Sequence, residues 1–214
     1  MEQQNGIVIV TGSNGRIGDA VMKRFAGRFS DVVGFDRKAP NPPPPGCTYV
    51  AVEITSDESV REGLRMIRQH HGSRVASVIH LAAYYDFFGE PSDKYDKITV
   101  EGTGRLLGAL KEIGFEVEQF IFSSTMLVHR PGEPGIFINE DWAIEPTWAY
   151  PESKVRTERL IHDERGEIPA VLLRISGVYD DLCHSIPLAN QIQRINERRF
   201  TSRVYSGSTS HGQS

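Results

Sequence analysis

Gly6-Ile7-Val8-Ile9-Val10-Thr11-Gly12-Ser13-Asn14-Gly15-Arg16-Ile17-Gly18 is the stretch on which the fold turns. The apolar run Gly6 to Val10 reads as a buried strand, and Ile17, Val21 and Phe25 then recur at helical spacing over 17–28. Between strand and helix the glycines are spaced G-x-x-G-x-x-G. One permits a tight turn, one lets the backbone approach a pyrophosphate, and one lets the helix pack close to the sheet. The helix start offers N–H groups and a partial positive charge to phosphates. Three glycines alone are a weak signal; the strand before them and the helix after them supply the required context.

Outward from this turn, apolar runs alternate with helical patterns. Strands are expected at 31–35 (DVVGF), 48–54, 75–81 (VASVIHL), 119–123 (QFIFS) and 170–175 (AVLLRI). Helices are expected from the cap candidates Ser56 and Asp57 to about His70, from Tyr95 to Ile113 with Gly114 ending it, and from Trp148 to about Glu164. PNPPPP at 40–45 is a stiff connector. Such alternation implies an α/β fold: a doubly wound parallel sheet of the Rossmann type, covered on both faces. Residues 1–180 form this dinucleotide-binding domain in the reading. Residues 181–214, with a helix opened by Pro187 and Leu188, Ile192 and Ile195 on one face, form the start of a smaller C-terminal substrate region.

The second strand ends at Asp36, at the expected offset from the glycines. A carboxylate there accepts hydrogen bonds from adenosine ribose hydroxyls and repels a 2′-phosphate, which favours NAD over NADP. Arg37 is the counter-argument, because a guanidinium pairs with that phosphate. The alternative reading of Asp36 is a solvated turn residue.

Tyr150 and Lys154, four apart in a predicted helix, share one face. A phenol of pKa ~10 is a poor base at neutral pH, and moving it to about 7 needs on the order of 4 kcal/mol of differential stabilisation. Lys154 and an oxidised nicotinamide ring are the sources expected. The spacing alone is weak, and its bland alternative is an exposed helix with an ordinary Tyr and Lys. Its context is the strand ending Phe122-Ser123-Ser124-Thr125, where a parallel sheet places ligands. A hydroxyl there could bond the substrate oxygen and the phenol, or the serines could be strand-end residues only.

These residues resemble the short-chain dehydrogenase/reductase superfamily, in its extended branch of NAD-dependent epimerases and dehydratases. The resemblance runs from Gly6 to about Tyr179, on TGSNGRIG (11–18), Asp36, VEI (52–54), HLAA (80–83), TVEGT (99–103), FSST (122–125), YPESK (150–154) and LRISGVY (173–179). It implies catalytic roles for Thr125, or next best Ser124, with Tyr150 and Lys154. It implies a cofactor site of Gly12, Ser13, Asn14, Gly15, Arg16, Ile17 and Gly18 in the turn, with Asp36 and Arg37. Glu53 and Ile54 would meet adenine, and Leu81, Ala82 and Ala83 would line the cofactor. Thr99, Ser123, Tyr150, Lys154, Ile175 and Ser176 complete that set. Tyr84, Tyr85, Thr125 and Met126 would face substrate. A homodimer through the helices spanning roughly 95–113 and 150–164 is also implied. Three departures stand out: Thr99 where the family has Asn, Gly177 where many nucleotide-sugar enzymes have Asn, and His129-Arg130 where Tyr-Gly is usual. The branch has a C-terminal substrate domain well beyond residue 214, so the chain is expected to be a front portion.

Composition narrows the remaining classes. Lys and Arg total 24 against 28 Asp and Glu, a net charge of -4, which gives no basic footprint for nucleic acid. No apolar run reaches a membrane span, and MEQQNGIVIVTG is not expected to be a cleavable leader. Cys47 and Cys183 suggest neither a disulfide framework nor a zinc site, and a reducing cytoplasm is the expected compartment. No metal is expected: His70-His71 suits a helix end, and Cys183-His184 suits a loop. The run Tyr84-Tyr85-Asp86-Phe87-Phe88 packs on the core or shapes a ring-containing substrate site, and Trp142 and Trp148 read as structural. The leading expectation is an NAD-dependent epimerase/dehydratase-like oxidoreductase acting on a small molecule. The rivals are a ketone reductase or hydroxysteroid-dehydrogenase-like enzyme and a non-catalytic NAD-binding sensor or scaffold.

Overall fold

The computed structural model describes residues 4–40, 42–86, 89–133, 135–179 and 186–199; Phe87, Phe88, Cys183, His184 and the tail from residue 200 lie outside the described residues. The chain falls into two compact units, Met1–Arg174 and Ile175–Ser214.

The first unit opens with β1 (Gln4–Thr11), α1 (Arg16–Phe25), β2 (Phe29–Asp36), β3 (Thr48–Ala51), α2 (Asp57–His71) and β4 (Arg74–His80). A π-helical turn, Tyr95–Val100, runs into α3 (Glu101–Ile113). Then come β5 (Glu116–Val117), β6 (Phe120–Thr125), a 3-10 turn (Met126–Val128), α4 (Ala149–Glu164) and β7 (Ala170–Ile175). The third strand is shorter than its expected span, while the two-residue β5 and the π turn carry no periodic signal long enough to read.

The sheet has seven strands in the order β3-β2-β1-β4-β6-β7, with β5 beside β4. Every pairing from β1 to β2 and β4, β2 to β3, and β4 to β5 and β6 is parallel. Parallel neighbours need crossovers, so helices cover both faces. Alternation along β1 sorts its side chains between them. Ile7 and Ile9 join Leu64 of α2, Leu106 and Leu110 of α3 and Ile161 of α4; Val8 and Val10 join Met22 of α1 and Val32. The order in which strands are added reverses between β1 and β4, all running the same way, which opens a crevice beyond their carboxyl ends. Ser56 caps α2, accepting from the Ser59 N–H at 3.2 Å.

In the second unit, α5 runs Ile186–Asn196, with Ile192 and Ile195 exposed. No helix among the described residues is long and apolar enough to cross a membrane. No group of three or more His, Cys, Asp or Glu among them could hold a metal ion.

Candidate active site

The glycine turn sits at the β1 end of the crevice. Gly12 is left-handed (φ +66), and its N–H donates to the Phe35 carbonyl at 3.1 Å. A Cβ on Gly18 would stand 2.2 Å from the Gly12 oxygen and 2.7 Å from Ser13 Cα, so only glycine lets α1 approach the turn. Gly15 caps α1 without a side-chain hydrogen bond. The positive end of that helix therefore has no capping oxygen from residue 15 in competition with an anion. Asn14, Gly15 and Arg16 are exposed and Ile17 is half-buried. Ser13 differs from its neighbours: it is buried, and its hydroxyl lies against Gly34 with no protein partner. Its contribution to the turn is its backbone.

Asp36 closes β2 beside this turn. Its Oδ2 accepts from the Asn14 N–H at 2.9 Å and its Oδ1 from the Arg37 N–H at 2.7 Å. A carboxylate has about four lone-pair sites, so two remain for hydroxyl donors. Arg37 is exposed. Glu53 is exposed and accepts from Thr55 N–H and Oγ1 at 3.2 and 2.9 Å, whereas the Ile54 side chain is buried in the core against Gly102.

The segment after β4 is tied to β1 by a hydrogen-bond chain whose direction can be worked out. Thr11 Oγ1 accepts from the Leu81 and Ala82 N–H groups, both at 3.1 Å, and its own proton goes to His80 Nδ1 at 2.6 Å. His80 Nε2–H then donates to Thr103 Oγ1 at 2.9 Å, and Thr103 donates to the Thr99 carbonyl at 2.6 Å. Burial, with the Lys154 charge second, pulls His80 down to about 3, which keeps it neutral as this order requires. Thr99 is itself buried, and its Oγ1 accepts from the Tyr84 N–H at 3.0 Å. At the position where the family's Asn was expected, the shorter hydroxyl anchors the Tyr84 segment through a π turn, a feature frequent at functional sites. Leu81, Ala82 and Ala83 are half-buried along this path.

The residues predicted for chemistry gather at the carboxyl end of β6 and the first turns of α4. Lys154 is buried and donates to the Ser123 carbonyl at 2.6 Å, with its Nζ 4.6 Å from the Phe122 ring centroid and 5.7 Å from that of Tyr150. Ser123 Oγ donates to the His80 carbonyl at 3.2 Å. Thr125 is buried and accepts from the Leu127 N–H at 3.3 Å, and its hydroxyl lies near enough to the Tyr150 phenol to favour its ionisation. Met126, half-buried, starts the 3-10 turn beyond it. Ser124 turns the other way and donates to Glu158 on α4. Of the two candidate hydroxyls, Thr125 is the one beside the phenol. Ile175 ends β7 and the exposed Ser176 follows it, both in the second unit.

Aromatic rings surround Tyr150. Tyr85 meets it edge-on at 4.9 Å, Trp148 lies at 5.4 Å and Tyr95 at 6.5 Å, while Tyr84 packs edge-on against Tyr95 at 4.9 Å. Trp148 and Tyr95 are not among the site residues singled out from the sequence; Trp148 offers a signal, since it caps the helix that holds Tyr150, whereas Tyr95 comes from the distant π turn and offers none. Burial pushes the Tyr150 phenol up to about 12; Tyr85 adds to the rise, the Thr125 hydrogen bond opposes it, and Tyr95 adds the least. Burial also pulls the Lys154 ammonium down to about 7, against the Glu158 carboxylate, which favours its charged form. Of the two sources expected from the sequence, Lys154 and an oxidised nicotinamide ring, the polypeptide contains only the first, and with it alone the phenol stays raised. Lys154 directs its hydrogen bond to a carbonyl, and its own charge is weakened by the same burial that protects Tyr150.

With this geometry, the chain can be set beside known proteins. Over 187 residues it is 27% identical to the 3-beta-hydroxysteroid dehydrogenase of Mycolicibacterium neoaurum, covering 81% of this chain and 48% of that protein. The chain thus spans about half the length of the curated relative. A short-chain dehydrogenase/reductase superfamily protein from Agrobacterium tumefaciens, solved with bound NAD, is 28% identical with a TM-score of 0.66, covering 89% of this chain and 58% of that one. The UDP-glucuronic acid 4-epimerase of Bacillus cereus, solved with UDP-glucuronic acid and NAD, shares the fold at 21% identity and a TM-score of 0.69, covering 89% and 63%. Residues 8–204, which hold the glycine turn, Asp36, the β6 end and the Tyr150/Lys154 pair, match one family along their whole length, and the chain belongs to it: the NAD dependent epimerase/dehydratase family.

Proposed function

We propose that this chain is an NAD-dependent, epimerase/dehydratase-like oxidoreductase in which Tyr150 accepts and returns the proton of a substrate carbinol. One observation carries the reading: Thr125, Tyr150 and Lys154 meet at the carboxyl end of β6, beside a crevice whose other wall is the glycine turn. The turn at Gly12, Gly15 and Gly18 holds the diphosphate against the start of α1. Asp36 takes the adenosine ribose hydroxyls and disfavours a 2′-phosphate. When bound, the dinucleotide supplies the hydride acceptor and a positive ring. Thr125 holds the substrate oxygen within reach of the phenol, and Lys154 supports the phenolate. Bringing Tyr150 from about 12 to neutrality takes on the order of 7 kcal/mol. In this reading Lys154 and the positive ring of the oxidised cofactor supply it together.

A second reading, an apolar ring-bearing alcohol as substrate, is favoured by the rings of Tyr85, Trp148 and Tyr95 around the phenol. The curated relative's name points the same way. We also propose a homodimer through α3 and α4. Gly108 opens the outer side of α3, where a Cβ would meet nothing within 4 Å. Light scattering at the mass of one chain would end that part. Turnover with nucleotide sugars, hydroxysteroids and simple ketols, measured with and without Tyr150→Phe, tests the reaction. NAD binding without turnover of any substrate class would support a sensor instead.

A further inference from the structure

Glu158 has no part in the reaction as just proposed, yet it is the one buried carboxylate among the described residues. Tyr150, Lys154 and Glu158 follow one another at intervals of four along α4, so they share a face. Glu158 Oε1 accepts from Ser124 Oγ and from Arg174 Nε at 3.2 Å, and Oε2 accepts from Arg174 Nη2 at 2.8 Å. Arg174 Nη1 reaches the Glu140 carbonyl and His129 Nε2, each at 3.2 Å. A guanidinium only donates, so His129 Nε2 is the acceptor, and its Nδ1–H donates to the Trp142 carbonyl at 3.0 Å. The network thus ties the end of β6, α4, the end of β7 and the loop around 129–142 to one carboxylate.

Charge gives this carboxylate a further consequence. Lys154 and Arg174 bring two positive charges to this region and Glu158 brings one negative. Other groups near Lys154 contribute little. His80 from β4 is neutral, and Tyr150 and Tyr95 are protonated phenols. Asp96 of the π turn pairs with Arg156, and Arg105 of α3 pairs with Glu101 and Asp57. We infer that Glu158 is a positioning residue for the proposed reaction: it supplies the countercharge that keeps the buried Lys154 an ammonium beside Tyr150, and through Ser124 it fixes the strand end that presents Thr125. The inference rests on the Tyr150/Lys154 reading but is tested apart from turnover.

The test is a pH titration of the Lys154 side-chain 13C resonance in 13C-lysine-labelled full chain, assigned by its loss in Lys154→Arg. In Glu158→Gln the midpoint should fall by about one pH unit, a tenfold change in the amine-to-ammonium ratio, and Glu158→Asp should restore it most of the way. Arg174→Gln, which leaves the carboxylate without its guanidinium, should move the midpoint upward; this arm holds even where Glu158→Gln fails to fold. An unchanged midpoint in either folded variant, including a Glu158→Gln protein that merely melts earlier, overturns the proposal. Loss of turnover in Tyr150→Phe bears on the reaction and leaves this titration untouched, so the two can fail separately.

Discussion

Gly18→Ala is the perturbation whose effect the structure fixes most tightly. The new methyl group would lie 2.2 Å from the Gly12 carbonyl oxygen and 2.7 and 2.8 Å from Ser13 Cα and C. All three are backbone atoms, so no side chain can swing aside. Either α1 retreats from the sheet or the turn opens by about an ångström, and overpacking of this kind costs roughly 1–3 kcal/mol. If the helix retreats, the strain appears as stability. A loss of about 2 kcal/mol lowers the melting temperature of a chain this size by roughly 4–8 °C. If the turn opens, the Gly12 carbonyl moves toward the place proposed for the diphosphate, and NADH affinity falls by about 10- to 100-fold. Melting by circular dichroism and NADH binding by fluorescence read the two outcomes side by side. A Gly18→Ala protein with both quantities unchanged would refute the claim that this glycine is there for close helix approach.

Other expected outcomes follow from the same geometry. Tyr150→Phe should lower turnover by about 10²- to 10⁴-fold, the usual scale of acid–base catalysis, and leave NAD binding by calorimetry near its original value. Asp36→Asn keeps an acceptor for the Asn14 N–H but removes the charge, so NAD affinity should fall by about tenfold and the preference over NADP should narrow, read from paired titrations. Stability should depend on pH through two buried bases. His80 is drawn down to about 3 from 6.5, so the unfolded chain binds the extra proton between those values. Stability therefore rises with pH there, by up to about 1.4 kcal/mol per unit, and urea melts of His80→Gln should show a flatter acid limb. Lys154 acts in the same sense between about 7 and 10.5. Ser56→Ala removes the cap of α2 and should cost about 1 kcal/mol by urea denaturation.

How much of this could be read beforehand depends on how local each determinant is. β1, the glycine turn and α1 are legible because their constraints lie within one unbroken run of residues, Gln4 to Phe25, and each glycine has its own steric task. Tyr150 and Lys154 are legible as a pair because helical geometry alone puts them on one face. The choice between Thr125 and Ser124 is not, since it depends on Glu158 reaching across from α4 to hold Ser124. Nor is the direction of Ser13, which depends on Gly34 leaving space on the next strand. Ile54 shows the same limit: its motif position suggests a ligand contact, while Gly102 of α3 receives its side chain in the core. The raised phenol is the largest surprise, and it comes from burial among rings gathered from three separate segments.

Isothermal titration calorimetry of the folded 214-residue chain with NAD+ and with NADP+ tests the central claim most directly. The account predicts saturable binding of NAD+ at one per chain, with NADP+ weaker because Asp36 opposes its phosphate. A folded sample that takes up neither dinucleotide would contradict it.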